Sequence, residues 1–209
     1  GALQGNTTAA NNTAVGANAL VSNTTGTQNT IIGSRAGDAL TTASYNTAVG
    51  ERSLSADTLG SRSVAIGNLT LNAQNFTSAT DSYNVAVGYS AGGALQKGLQ
   101  NTLIGGLVGD ALTSPLANGD SSYNTAAGYS ALSSDTLGAR STAFGHEALA
   151  TQNFTSTTIT GNTALGFQTG RLLTTGTFNT IVGHEAGTVV TTGTFNTLIG
   201  GLAGDAITT

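Results

Sequence analysis

The only two histidines of the chain stand in matching Gly-His-Glu motifs, as His146-Glu147 and His184-Glu185. Imidazole and carboxylate side chains are common in metal sites and in acid–base catalysis. The two motifs lie two repeats of a regular pattern apart, so about 10 Å is expected between the imidazoles. Because that distance is too long for one shared ion, we interpret both motifs as solvated turns whose side chains are candidates for surface recognition.

Acidic residues elsewhere give no second candidate for chemistry. Asp38, Asp110 and Asp205 each stand in a Gly-Asp-Ala sequence, a pattern with less aspartate than calcium-binding solenoids carry. We interpret them as turn residues. No pair of carboxylates and no Ser-His-Asp set can be assembled, and there is no cysteine to supply a thiolate. The sequence therefore predicts no enzyme, no metal site and no cofactor.

Tyrosines occupy recurring positions near the turns of the pattern. Tyr89 and Tyr129 follow a glycine of the repeat, whereas Tyr45, Tyr83 and Tyr123 precede its asparagine. An exposed tyrosine could stack on a sugar ring; the alternative interpretation is that these rings cap the edges of the coils. Tyr89 and Tyr129 therefore join the two His-Glu pairs as candidate recognition residues.

The elements that position these side chains are copies of one phrase, Asn-Thr-(Ala/Ile/Leu)-(Val/Ile)-Gly. Most successive copies are about 17 residues apart, as Asn12 and Asn29 are, and a fixed period with occasional insertions is typical of a solenoid of stacked coils. Longer steps follow Ser63, Asn101 and Ser141, and the step after Asn101 contains Pro115. We expect one all-β domain over residues 1–209, a parallel β-solenoid or β-roll of about eleven coils. The coils begin near Asn12, Asn29, Asn46, Ser63, Asn84, Asn101, Asn124, Ser141, Asn162, Asn179 and Asn196.

Alternation along each strand predicts which face is buried. The residue before the phrase glycine shares a face with the threonine, and we expect this face to be the core. Its predicted core residues are Val15, Ile32, Val49, Ile66, Val87, Ile104, Phe144, Leu165, Val182 and Ile199. The Ala/Ile/Leu position points to the opposite face. Since that face is also largely apolar, we expect it to contact another chain; the alternative is that its alanines are small residues on a solvated face.

Outside the phrase, each coil contains a second apolar residue. A longer repeat, which spans several coils, is also present. After the glycine comes a choice between leucine and a second glycine, and each coil is predicted to contain two short strands joined by turns. Residues 44–113 match residues 122–191 along their whole length. We infer that a four-coil block was duplicated and that the step around Pro115 is the seam between the two copies.

Composition limits the kinds of partner that the chain is expected to bind. Charged residues make up 8% of the chain and its net charge is −4, so no basic patch for nucleic acid is expected. No apolar run is long enough to span a membrane.

The phrase Ser63-Val64-Ala65-Ile66-Gly67 resembles the repeat of trimeric autotransporter adhesin heads. Asn-Thr-Ala-Val-Gly phrases followed by Ala-Leu or Ala-Gly are also similar to the shaft repeats of phage tail fibres. The resemblance implies an intertwined or side-packed homotrimer, an extracellular location on an appendage or virion, and attachment to a glycan or protein receptor on a cell surface.

Two other functions are compatible with the repeats. A self-assembling extracellular filament could form if coils stacked head to tail through exposed strand edges. Ice binding is a further alternative, because flat β-solenoids with ranked threonines can bind ice. The regular threonine shares its face with the predicted core, however, and this parity argues against an outward threonine array.

Overall fold

The structure is a computed structural model that describes residues 1–114 and 121–209. It is an all-β parallel solenoid, and its coils follow the period predicted from the phrases, since Thr13 pairs with Thr30 and Thr30 with Thr47. The seam predicted around Pro115 lies outside the described residues. The strands are β1 (Thr13–Val15), β2 (Thr30–Ile32), β3 (Thr47–Val49), β4 (Gly60–Ser61), β5 (Val64–Ile66), β6 (Thr80–Asp81), β7 (Val85–Val87), β8 (Thr102–Ile104), β9 (Thr125–Ala127), β10 (Gly138–Ala139), β11 (Thr142–Phe144), β12 (Thr158–Ile159), β13 (Thr163–Leu165), β14 (Thr180–Val182) and β15 (Thr197–Ile199).

Each copy of the phrase contributes one strand to a single parallel sheet of eleven strands. The strands pair in register, so that Ala48 lies opposite Ala65 and Val49 lies opposite Ile66. The prediction of two strands in every coil was wrong. In the described residues a second strand forms only in the pairs β4–β6 and β10–β12, each of which joins a 17-residue coil to the lengthened coil that follows it; elsewhere the other sides are turns.

Left-handed backbone conformations close each coil. Around the strand β3, Tyr45, Arg52 and Leu54 have φ values of 63°, 54° and 53°, and the equivalent positions around the other strands of the sheet repeat this pattern. The phrase glycine is required for a different reason. A Cβ on Gly16 would lie 2.6 Å from the carbonyl oxygen of Gly33 in the next coil, closer than nonbonded atoms can approach. Glycine at this corner therefore sets how tightly the coils stack.

The predicted core face was wrong. The Ala/Ile/Leu position is the buried one, since Ile31, Ala65 and Leu103 are each 0% exposed. The residues predicted as core point out of the coil, and none of them is buried; Ile66 is 39% exposed. The residues affected are Val15, Ile32, Val49, Ile66, Val87, Ile104, Phe144, Leu165, Val182 and Ile199.

The reason is the volume available inside a narrow coil. Coils with leucine at the corner after the phrase have alanine in the strand, whereas most coils with glycine at that corner have isoleucine or leucine. A Cβ on Gly37 would lie 2.9 Å from Leu40 Cδ1 and 3.4 Å from Ile31 Cδ1. In these coils the two positions therefore share one core of nearly constant volume; the exceptions are Ala86/Gly92 and Ala164/Gly170, where both residues are small. The alanine–leucine pairs are Ala14/Leu20, Ala48/Leu54, Ala65/Leu71, Ala126/Leu132 and Ala143/Leu149, and the large–glycine pairs are Ile31/Gly37, Leu103/Gly109, Ile181/Gly187 and Leu198/Gly204.

The first residue of each phrase forms a buried amide ladder along the rod. The backbone N–H of Asn46 donates to Asn29 Oδ1 at 2.9 Å, and Asn46 Oδ1 accepts from the backbone N–H of Ser63 at 2.9 Å. Asn46 Nδ2 donates to the carbonyl oxygen of Gly60 at 3.0 Å. Each asparagine thus joins neighbouring coils, and its burial is tolerated because its polar atoms are satisfied.

A different network replaces the ladder where the phrase begins with serine. Gln74 Nε2 donates to Ser63 Oγ at 2.9 Å and to Asp57 Oδ2 at 2.6 Å, and Gln74 Oε1 accepts from Asn84 Nδ2 at 2.9 Å. Asp57 is fully buried. The same contacts recur in the duplicated block with Gln152, Ser141, Asp135 and Asn162.

Candidate functional site

Four aromatic side chains form a stacked column on the surface, and three of them belong to the predicted recognition residues. The ring centroids of Tyr129 and His146 are 5.6 Å apart, those of His146 and Phe167 are 5.3 Å apart, and those of Phe167 and His184 are 5.3 Å apart. The interplanar angles are 23°, 18° and 14°. We call Tyr129, His146, Phe167 and His184 the ring column.

The backbone of successive coils places these rings above one another. Each ring follows a phrase glycine, and the next residue, such as Glu147 with φ 54°, has a left-handed conformation. The N–H of Glu147 donates to the carbonyl oxygen of Tyr129 at 2.9 Å, and the N–H of Glu185 donates to that of Phe167 at 2.9 Å. Backbone hydrogen bonds between neighbouring coils, made by the ring residues and the residues that follow them, therefore fix the register of the column.

The two glutamates have different partners. Glu147 Oε2 accepts a hydrogen bond from Gln168 Nε2 at 2.7 Å. His184 Nε2 lies 3.9 Å from Glu185 Oε1, and the side chain of His184 is 65% exposed. Since the ring of Phe167 lies between His146 and His184, the imidazoles cannot ligate one ion. Within the described residues, no three His, Asp or Glu side chains form a group able to hold a metal.

Tyr89 occupies the same line of positions but is separated from the column by Gly106. The N–H of Leu107 donates to the carbonyl oxygen of Tyr89 at 2.9 Å, and that of Ser130 donates to the carbonyl oxygen of Gly106 at 3.0 Å. Tyr89, Gly106 and Tyr129 are therefore on three successive coils. Sequence reasoning missed Phe167 and Gly106; aligning the residue after each phrase glycine across the longer steps would have revealed both.

A second line of planar groups precedes the asparagines. The guanidinium of Arg62 lies 4.6 Å from the ring centroid of Tyr45 and 5.8 Å from that of Tyr83. Arg62 Nε also lies 3.0 Å from Asp81 Oδ2, and this hydrogen bond raises the pKa of Arg62 above its ordinary value. Tyr123 contacts Arg140 at 5.7 Å in the duplicated block. These rings have neighbours on their faces, so this line of side chains is less suited than Tyr89 to stacking on a sugar.

The interior carboxylates are structural. Burial raises the pKa of Asp135, although hydrogen bonds from Gln152 and from the backbone of Gly138 and Phe154 oppose the shift. Burial also raises the pKa of Asp38 and of Asp110. One oxygen of each of these last two side chains is buried and has no hydrogen-bond partner among the described residues.

Comparison with protein-family models, with curated proteins and with solved structures finds no significant match to this chain. No helix able to cross a membrane is found in residues 1–114 and 121–209.

Proposed function

We propose that the chain is a structural and adhesive module of an extracellular trimeric fibre, which attaches to a cell surface. The observation that supports this proposal is the outward face of the eleven-stranded sheet. It carries a row of Val, Ile, Leu, Phe and Ala residues beside a row of Thr and Val, with no charged residue in any of the eleven strands. We call this surface the outer sheet face.

The outer sheet face is larger than the apolar patches that soluble monomers usually leave in water. Eleven strands about 4.8 Å apart give a continuous stripe about 50 Å long. Val15, Ile104 and Ile199 are among its exposed members. Such a stripe is typical of a surface that another protein covers. Every strand contributes apolar residues to this face, so a second copy of the chain is a matching partner. The resemblance to trimeric adhesin heads and tail-fibre shafts implies that three chains associate.

Multi-angle light scattering tests this proposal. A trimer has three times the chain mass of 20.6 kDa. Ile66→Asp places a carboxylate on the outer sheet face and should yield monomers that keep their β-sheet circular dichroism. Ser34→Asp, at an exposed site outside the strands, is the matched control and should stay trimeric. A wild-type mass equal to that of one chain at all concentrations would refute the trimer. A mass that grows without limit would support the head-to-tail filament.

Ice binding is a second candidate, favoured by one specific observation. The threonines at the start of nine strands point outward, although the sequence predicted that their face would be the core; they are Thr13, Thr30, Thr47, Thr102, Thr125, Thr142, Thr163, Thr180 and Thr197. Among the described residues, none of these nine hydroxyls has a hydrogen-bond partner within the chain. By contrast, Thr24 and Thr41 in the turns donate to carbonyl oxygens of the next coil. The strand hydroxyls are therefore free to order water.

Attachment through a trimer and ice binding require the same face, so one sample decides between them. Thermal hysteresis should be measured on the protein whose mass has just been determined. A trimer without hysteresis supports the fibre module. A monomer that shows hysteresis supports ice binding and would refute the fibre module.

A further inference from the structure

We infer that the gap between Tyr89 and Tyr129, above Gly106, is a binding site for one pyranose ring of a neutral glycan. This site would supply the ligand for the attachment function proposed above, and its biological role rests on that proposal. The gap lies within one chain and does not require a particular number of chains in the fibre.

The ring column shows how much fits into a gap of two coils. Tyr129 and Phe167 are two coils apart, and the space between them holds one planar ring, His146, at 5.6 Å and 5.3 Å from their centroids. Tyr89 and Tyr129 are also two coils apart, with Gly106 on the coil between them. The space above Gly106 therefore corresponds to one absent ring of the column.

The backbone does not explain why residue 106 is glycine. The neighbouring Gly105 has a φ of 137°, and a Cβ there would clash with Gly128 of the next coil. Gly106 has no such positive φ. A Cβ on Gly106 would meet only the ring of Tyr129, at 3.6 Å and 3.9 Å, which are ordinary contact distances. A side chain is sterically allowed at this position, and its absence leaves the gap open.

The walls of the gap are accessible aromatic rings. Tyr89 is 56% exposed and Tyr129 is 53% exposed. The column covers Tyr129 on the side of His146 only, so its other face is turned toward Gly106. The free face of Tyr129 and the exposed ring of Tyr89, two coils away, can together contact the apolar C–H faces of a sugar.

The residues flanking the gap determine the class of ligand. Ile104 and Leu107 lie on the coil of Gly106, and Ser90 and Ser130 lie on the coils below and above it. None of them is charged. The phenol hydroxyls of Tyr89 and Tyr129 can donate to and accept from sugar hydroxyls. This combination suits a neutral pyranose better than a sialic acid, whose carboxylate would find no cation here, or an aromatic side chain, which would leave the hydroxyls unused.

Gly106→His provides the decisive variant, because it should place a fifth ring where His146 and His184 have theirs. Gly201→His is the matched control. Position 201 continues the same line beyond His184, and a Cβ there would approach only the His184 carbonyl oxygen, at 4.0 Å. The control adds the same side chain to the rod and leaves the gap open. Tyr129→Ala removes one wall.

The probes are methyl β-D-glucoside, methyl β-D-galactoside and N-acetylglucosamine, with sialic acid and p-cresol as comparisons. Binding is measured by saturation-transfer NMR and isothermal titration on the intact chain. We expect at least one neutral pyranose to bind in the millimolar range typical of a single-ring contact. Gly106→His and Tyr129→Ala should weaken it by about tenfold or more, as loss of an aromatic anchor does. Gly201→His should leave it unchanged.

Three results would overturn the inference: no saturable binding of any neutral pyranose, binding that survives Gly106→His, or binding of sialic acid or p-cresol alone. The p-cresol result would instead indicate an aromatic side chain of a protein partner. Light scattering on the same samples keeps the two proposals separate. A trimer that binds no sugar refutes only the glycan site, whereas a monomer that binds sugar refutes only the trimer.

Discussion

The inner and outer faces of the eleven-stranded sheet are both apolar, yet they are built by different rules. On the inner face the strand residue and the corner residue compensate in volume, as Ile31 does with Gly37 and Ala65 does with Leu71. On the outer face Val, Ile, Leu, Phe and Ala follow one another without any such partner in the chain. Compensation of this kind identifies a core more reliably than residue size, because a core has a fixed volume to fill.

The largest expected effect is the difference in stability between variants that carry a carboxylate on the inner face and on the outer face. Ala65 and Ile66 are adjacent, but Ala65 is fully buried and Ile66 is 39% exposed. Ala65→Asp buries an unpaired charge and should reduce the free energy of unfolding by at least about 4 kcal/mol. Ile66→Asp should leave the thermal stability of the monomer nearly unchanged while preventing association. Thermal melts at low protein concentration measure both effects, and equal destabilisation by the two variants would show that the faces do not differ.

Volume compensation on the inner face can be tested by exchanging one type of coil for the other. Gly37→Leu alone should destabilise the chain by about 1–3 kcal/mol, because its side chain would meet Leu40 and Ile31 in a packed core. Adding Ile31→Ala and Leu40→Asn to Gly37→Leu gives a triple variant. Its second coil has the residue types of the first coil, which has Ala14 and Asn23 at the first two of these places. The triple variant should recover most of the loss. Urea denaturation measures the recovery, and simple additivity of the losses would contradict the compensation.

Three carboxylates with raised pKa values predict an unusual pH dependence of the free energy of unfolding. Burial raises the pKa of Asp38, Asp110 and Asp135 above the ordinary value of 3.8. Between that value and the raised pKa values the folded chain binds more protons than the unfolded chain. The contribution of these groups to stability is therefore complete below the ordinary pKa and is lost as the pH rises through the raised pKa values.

The free energy of unfolding should accordingly increase as the solution is acidified from neutral pH to about pH 4, which urea titrations at several pH values can measure. Asp135→Asn removes one contributor and should flatten the curve. A steady loss of stability on acidification would contradict the assignment.

The smallest effect is expected from the threonine row of the outer face. Val64 and Val85 already occupy this row in two strands, so Thr125→Val should change the free energy of unfolding by no more than about 0.5 kcal/mol. The trimer mass should also be retained. A larger loss in the thermal melt would show that this hydroxyl has a structural role.

Sequence predicted the period, the parallel register and the corner glycine, because each depends on a strictly spaced phrase. It did not predict the direction of the strand faces. Val49 is larger than Ala48, and larger residues are more often buried; the correct signal was the pairing of Ala48 with Leu54 and of Ile31 with Gly37. The burial of the Asp57 carboxylate was not predicted either, because aspartate is almost always exposed unless it has a partner. The serine that replaces asparagine at position 63 marks the place where Gln74 and Asp57 complete the network.

The candidate site was predicted in part. Tyr129, His146 and His184 were selected from motifs, and the regular coil spacing brings them into one column with Phe167. The gap above Gly106 depends on which coils receive the insertions that lengthen the longer steps. Neither composition nor the motifs show which residues lie above one another across the longer steps, whereas the hydrogen bonds between coils do.

Thiol labelling tests most directly whether the outer sheet face belongs to the chain's own copies. The chain has no cysteine, so Ile66→Cys and Ser34→Cys each introduce a single reporter, one on that face and one outside it. At a concentration where the mass is that of a trimer, the account predicts that Ile66→Cys reacts much more slowly than Ser34→Cys and that dilution to monomers removes the difference. Equal labelling rates at that concentration would contradict it.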